Sequence, residues 1–243
     1  MTRQENNLLM KKLDILYEDE YILVCVKPSG VPVQSRSAAT PDMESLLKNH
    51  LTPAVCSGAS GTSRISKKGA PYLAVIHRLD QPVKGILVFA KTPETAANLN
   101  RQLQENKFGK FYQAVICGVL PSDRGTLTDY LVKDGRTNTS RICSQDTPGA
   151  KFAELSYSVL NTFPKTGLSV VKIHLKTGRH HQIRVQMAGA GAPLWGDTKY
   201  NPEFTQKKGY TPIALCAFRL QFCHPATGKN MEFEIACDWS QTE

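Results

Sequence analysis

Asp80 closes the run Ile76-His77-Arg78-Leu79-Asp80, and a Gln-Pro-Val-Lys-Gly turn then feeds the apolar run 86–90. The apolar run reads as a buried strand, whereas an unpaired charge strongly resists leaving water. The charged segment is therefore either a solvated loop or a site. Taken alone, residues 77–80 favour the plain reading of an aspartate capping a turn. Two further stretches place polar side chains at the edge of an apolar element, where sites usually sit. Lys110-Phe111-Tyr112-Gln113 opens a strand, and Thr177-Gly178-Arg179-His180-His181-Gln182-Ile183-Arg184 stands at a strand-to-helix turn. The histidines 77, 180 and 181 raise the question of a metal, as do Cys216, Cys223 and His224. Neither set has the spacing of a closed zinc site, which needs a fixed tetrahedral geometry. His77 and His181 are read as structural hydrogen-bonders, and Cys216 and Cys223 as core; no metal is expected.

These residues need elements to position them. Residues 13–27 read as two short strands around an acidic turn, closed by the turn signal Lys27-Pro28-Ser29-Gly30. Thr40-Pro41-Asp42 predicts a helix to about residue 50, with Thr40 as the cap. Residues 53–70 are rich in Ser and Gly and predict a loop. Thr92-Pro93-Glu94 opens a second helix, whose Ala96, Leu99 and Leu103 recur at helical spacing. Strands follow over 111–120, a hairpin 126–132/139–143 around Asp134-Gly135, and a second hairpin 151–160/168–175. Residues 180–189 predict a short helix with Ile183 and Met187 on one face. Strands over 213–222 and 231–236 come last. Many antiparallel strands with few helices indicate an α+β fold. The expected division is an extension over 1–12 and a single catalytic domain over 13–243, with no appended N-terminal domain.

The chain has 243 residues, 41% of them hydrophobic, enough to bury a sizeable core. It has no apolar run near the length of a membrane span and no secretory signal pattern, so a cytoplasmic protein is expected. Seven cysteines, an odd number without C-x-x-C spacing, read as reduced thiols. A net charge of +9, from 30 Lys plus Arg against 21 Asp plus Glu, suggests a polyanionic partner. The bases cluster in loops: Arg64, Lys67 and Lys68; Lys133, Arg136 and Arg141; Lys199, Lys207 and Lys208. Basic loops on a scaffold suit phosphate contacts, which position a nucleic acid without reading its bases.

Several ordered stretches together resemble the RluA-type RNA pseudouridine synthases. They are LDILYEDEYILVCVKPSGVPV, IHRLD with the strand after it, KFYQAVICG, TGRHHQIRVQMAGAGAPLWGD and ALCAFRLQFCHPATG. The resemblance covers nearly the whole chain. It departs at Val83-Lys84, where the family often carries Thr-Ser, and at His180, where it often carries Thr. It implies the pseudouridine synthase fold, a mostly antiparallel mixed sheet with flanking helices and a central basic cleft. It also implies isomerisation of uridines in tRNA or ribosomal RNA, without metal or redox cofactor. The N1–C1′ bond breaks, the uracil turns, and C5 bonds to C1′. One carboxylate is needed near the sugar, where ordinary glycosidases use two. Asp80 is then the catalytic residue, Arg184 its ion partner, and Tyr112 a ring for the target base. Arg78, Ile183, His77 and Arg179 would contact the substrate, with Arg78 filling the space left by a flipped uridine. RNA is the expected partner and the chain is expected to be a monomer. The alternatives are a metal-dependent RNA hydrolase using the three histidines and a non-catalytic RNA-binding protein.

Overall fold

In the computed structural model, residues 13–35, 40–52, 71–206 and 212–239 are described. The expected extension over 1–12, the loop over 53–70 and the bases Arg64, Lys67, Lys68, Lys207 and Lys208 fall outside them. The described chain runs β1 (Asp14–Glu18), β2 (Ile22–Lys27), α1 (Met43–Leu51), β3 (Ala74–Val75), β4 (Lys84–Ala90), α2 (Pro93–Gln104) and β5 (Gly109–Cys117). It continues with β6 (Arg124–Asp134), β7 (Thr139–Cys143), β8 (Lys151–Phe163), β9 (Leu168–Leu175), α3 (Gln182–Gly189), α4 (Pro202–Thr205), β10 (Leu215–Cys223) and β11 (Asn230–Glu234).

Among the described residues, eleven strands form one sheet in the order β1-β2-β4-β10-β5-β9-β8-β6-β7, with β11 on β10 and β3 on β4. The pair β4–β10 is parallel and every other pair is antiparallel. The α+β expectation of a mostly antiparallel mixed sheet therefore holds. Sequence pattern explains which strands sit centrally. β2 (ILVCVK) and β4 (GILVFA after its lysine) are apolar at successive positions, as strands covered on both faces must be. Leu87 and Phe89 join one core with α1 and α3, while Ile86 and Val88 join a second core under α2. β9 (LSVVKIHL) alternates buried and half-buried residues, so one of its faces is core and the other is not.

The helix caps follow the side-chain chemistry. Thr92 accepts the Thr95 N–H at 3.2 Å and starts α2, as expected. At α1 the cap is Asp42 rather than Thr40. The two Asp42 carboxylate oxygens accept from Ser45 N at 2.7 Å and from Ser35 N at 2.5 Å, which ties the preceding loop to the helix. β8 runs to Phe163, three residues beyond the expected end, through an irregularity between Val159 and Asn161. Cys216 is buried as expected, but Cys223 ends β10 half-buried, with its thiol donating to Asn230 Oδ1 at 3.3 Å.

Candidate active site

Asp80 lies on the loop between β3 and β4, and a fully buried lysine anchors that loop. Lys27 Nζ donates to the carbonyls of Val31 at 2.7 Å, Pro28 at 2.9 Å and Gln81 at 2.9 Å. Three acceptors match the three protons of an ammonium, although burial pulls the Lys27 pKa down to about 7. Gly30 N also donates to Gln81 O, and Ser29 Oγ to Pro82 O at 2.6 Å. The turn after β2 thus grips both residues that follow Asp80. On the far side, Gly85 brings β4 against β10. Its φ of 153° and a space in which a Cβ would sit 2.6 Å from Ala217 O both require glycine.

Asp80, Tyr112 and Arg184 meet at one cavity of about 90 Å³, lined also by Arg78, Arg179 and Ile183. Leu79, Val83, Leu175 and Leu215 complete its apolar wall. Arg184 Nη1 donates to Asp80 Oδ2 at 3.3 Å across 104 residues of sequence. Its stronger partner is Asp197, which accepts from Nε at 2.8 Å and from Nη2 at 2.7 Å. The Arg184 side chain is 5% exposed and that of Asp197 is 0% exposed, so this is a buried bidentate pair. Burial alone would lower the Arg184 pKa, but Asp197 and then Asp80 outweigh it and raise it. Arg184 remains charged, and its orientation is fixed by Asp197.

His181 stands next to Asp80. It begins α3 in the left-handed region at φ 54°, and its Nδ1 lies 2.7 Å from Tyr200 Oη. Tyr200 Oη also accepts the Ser140 N–H at 2.7 Å, which ties His181 to the β6–β7 hairpin. His181 Nε2 lies 3.7 Å from Asp80 Oδ2. Burial, with Arg184 beside it, drives the His181 pKa down to about 2, so the ring is neutral. Its neighbour His180 stacks on it at 3.8 Å and bonds Ser140 Oγ at 2.8 Å.

The other expected residues divide. Tyr112 is buried, and burial, with Asp80 and Cys216 nearby, raises its pKa far above that of a free phenol. Arg78 is exposed at the cavity. Arg179 lines it while its Nε donates to Phe152 O at 2.7 Å. His77 does not line the cavity. Its ring meets Phe108 edge-on at 6.2 Å and its Nε2 accepts the Val88 N–H at 3.4 Å. Burial lowers its pKa to about 3. That is the structural role its residue type suggested, and it does not agree with a substrate contact. Among the described residues, no group of three or more His, Cys, Asp or Glu side chains is arranged to hold a metal.

A carboxylate held by a guanidinium beside a tyrosine, over a small apolar-walled cavity, suits chemistry on a planar base attached to a sugar. Residues 21–189 match the family model described as RNA pseudouridylate synthase. The chain belongs to that family. It is an RNA pseudouridine synthase, an isomerase whose substrate is RNA. An RNA pseudouridine synthase of Bacillus subtilis, YlyB, named as uncharacterized, is 35% identical over 91% of this chain and 68% of its own length. The ribosomal large subunit pseudouridine synthase D of Pseudomonas aeruginosa is 33% identical over 92% of this chain and 68% of its own. The human RNA pseudouridylate synthase domain containing 4 shares the fold at a TM-score of 0.74 and 22% identity, covering 98% of this chain and 94% of that one.

Sequence reasoning did not single out three contributors to the synthase's site. Asp197 lies inside the quoted stretch ending PLWGD, with nothing local to mark it. Tyr200, three residues on, carries no pattern. Lys27 reads only as the start of a Pro-Gly turn.

Proposed function

We propose that this synthase converts particular uridines of tRNA or ribosomal RNA, with Asp80 as the catalytic carboxylate and the target base flipped out of its stack. The observation that carries the reading is the contact of Asp80 with Arg184, itself clamped by Asp197, at the cavity shared with Tyr112. The cavity, at about 90 Å³, falls well below the roughly 300–1,000 Å³ of pockets that enclose a drug-sized ligand. It is sized for a base, with sugar and phosphates outside. Tyr112 and Ile183 face the base, and Asp80 works at the ribose while the N1–C1′ bond breaks and C5 takes its place. Arg184 keeps the carboxylate oriented. A base can reach Asp80 only by unstacking, at a cost of about a few kcal/mol in a folded RNA. Arg78, exposed at the mouth, replaces it in the stack.

The basic cleft expected from sequence would run past this mouth. Lys199 beside the cavity, whose Nζ donates to Asn138 O at 2.7 Å, and Lys133 on the adjoining β6–β7 hairpin favour phosphate contacts there. The name of the Pseudomonas relative favours a ribosomal substrate. We further propose that residues 13–243 form one catalytic domain acting as a monomer in the cytoplasm.

The test is Asp80→Asn, which keeps shape but removes the charge. Isomerisation puts C5 of the base on C1′, so RNA tritiated at C5 releases its label on turnover. Asp80→Asn should release none while still binding RNA. Label release at the parent's rate would remove Asp80 from the reaction.

A further inference from the structure

Away from the catalytic cavity, one edge of β10 is shared by two strands. β11 occupies it along 219–223, with Arg219 opposite Glu234. β4 takes it over at Ala217 and Cys216, opposite Gly85 and Lys84. The last bond from the β11 side is Ile235 N to Phe218 O, at 2.9 Å. Because β4 fills the edge beyond that point, the chain after Ile235 must leave the plane of the sheet and lie over the junction. Two residues on, Cys237 meets Cys216. Both cysteines, with Lys84 and Trp239, line a cavity of about 150 Å³ that is separate from the catalytic one. Cys216 is 3% exposed and Cys237 is half-buried.

The groups facing this pair come from every neighbouring element. Lys84 comes from β4, Glu234 from β11, Tyr112 from β5 and Asp238 from the segment over the junction. The hydrogen bond from Cys237, aided by the Lys84 ammonium, lowers the Cys216 pKa, whereas that of Cys237 is raised. Two thiols at one cavity, with Cys216 opposite Lys84 in the sheet, have the arrangement of an attacking and a resolving cysteine. Lys84 is also half of the Val83-Lys84 departure from the family motif.

We infer that Cys216 and Cys237 form a peroxide-reactive thiol pair that closes to an intramolecular disulfide. The Cys216 thiolate attacks one oxygen of hydrogen peroxide, forming a sulfenic acid and releasing hydroxide, which takes up a proton. Cys237 then attacks the Cys216 sulfur, the S–S bond forms, and the sulfenic oxygen leaves as water. Two thiols lose two electrons, and one peroxide becomes two waters. Peroxide is small enough for the cavity. The product fastens the segment after β11 to β10, beside Leu215 of the catalytic cavity wall.

The experiment treats the whole chain with hydrogen peroxide, blocks the remaining thiols and maps the peptides. A Cys216–Cys237 cross-link is expected, absent from both Cys216→Ser and Cys237→Ser. In Cys237→Ser, Cys216 should stop as a sulfenic acid that dimedone captures. Lys84→Met, with its melt compared to the parent, should slow loss of the Cys216 thiol at pH 7 about threefold or more. Cys216 reacting no faster than the half-buried Cys143 and Cys223, a bridge to another cysteine, or an unchanged rate in a folded Lys84→Met chain would each overturn the inference.

Discussion

Replacing Arg184 by Met tests stability and catalysis at once. Arg184 and Asp197 are 5% and 0% exposed, whereas Asp80 is 28% exposed and meets Arg184 at 3.3 Å through one nitrogen. Arg184→Met strands the Asp197 carboxylate inside the protein with, among the described residues, the backbone N–H groups of Lys199 and Tyr200 as its remaining partners. Removing one partner of such a pair costs about 3–5 kcal/mol. For a chain of this size, each kcal/mol shifts Tm by roughly 2–4 °C, so a fall of about 6–20 °C is expected. Asp80→Asn breaks only a half-exposed contact worth about 1 kcal/mol or less, so its Tm should fall by no more than about 4 °C. Turnover behaves differently, because Arg184→Met also releases Asp80, and loss of positioning at a reacting group can reduce rate about 100-fold. Arg184→Met with Asp197→Leu removes both charges and should recover part of the stability, since contacting residues couple by roughly 0.5–3 kcal/mol, yet none of the turnover. Thermal melts by circular dichroism and tritium release measure the two effects. A melt of Arg184→Met within about 2 °C of the parent would refute the buried clamp. A destabilised Arg184→Met with full turnover, assayed well below its Tm, would refute the link from clamp to Asp80.

Three other outcomes follow from the same geometry. Arg78→Ala should slow turnover of a uridine in a folded stem-loop more than of one already unstacked in a relaxed loop; equal losses with a shallower salt dependence would make Arg78 a phosphate contact instead. The Lys27 pKa of about 7 lies below the roughly 10.4 of an unfolded chain, so between them the unfolded state binds more protons and stability should rise with pH. Urea melts of Lys27→Met at pH 7 and pH 9 should show that rise flattened, and the parent's slope in the variant would contradict the assignment. With His181 and His77 held neutral by pKa values of about 2 and 3, turnover should show no histidine limb between pH 6 and 8. An acid limb in that range that disappears in His181→Asn would contradict the neutral ring.

The sequence made the repeating elements legible because their causes are local. Thr92-Pro93 fixes a helix start, Asp134-Gly135 turns a hairpin, and continuous apolar runs mark strands covered on both faces. Asp80, Tyr112 and Arg184 were legible through ordered motifs at compatible spacing. What was not legible depends on contacts that no local pattern announces. Asp197 carries no local mark until the fold brings it to Arg184. Lys27 gives no sign that three carbonyls will surround it. Thr40 reads as the better cap because a Thr-Pro pair is a common start, but Asp42 has two oxygens, one for the helix and one for the preceding loop. His77 lies three residues before Asp80 in sequence, yet the backbone aims its ring at Phe108, in the other core.

β10 pairs with β4 on one edge and β5 on the other, so it joins the part of the sheet carrying Asp80 to the part carrying Tyr112 and Arg184. During synthesis those two parts leave the ribosome long before the strand that unites them. A nascent chain halted before Leu215 can form its hairpins and still lack a working centre, so it should be unable to modify the RNA around it. In a timed cell-free synthesis, activity should appear only once residues 215–223 have cleared the exit tunnel, and earlier activity would show that the two parts meet without β10.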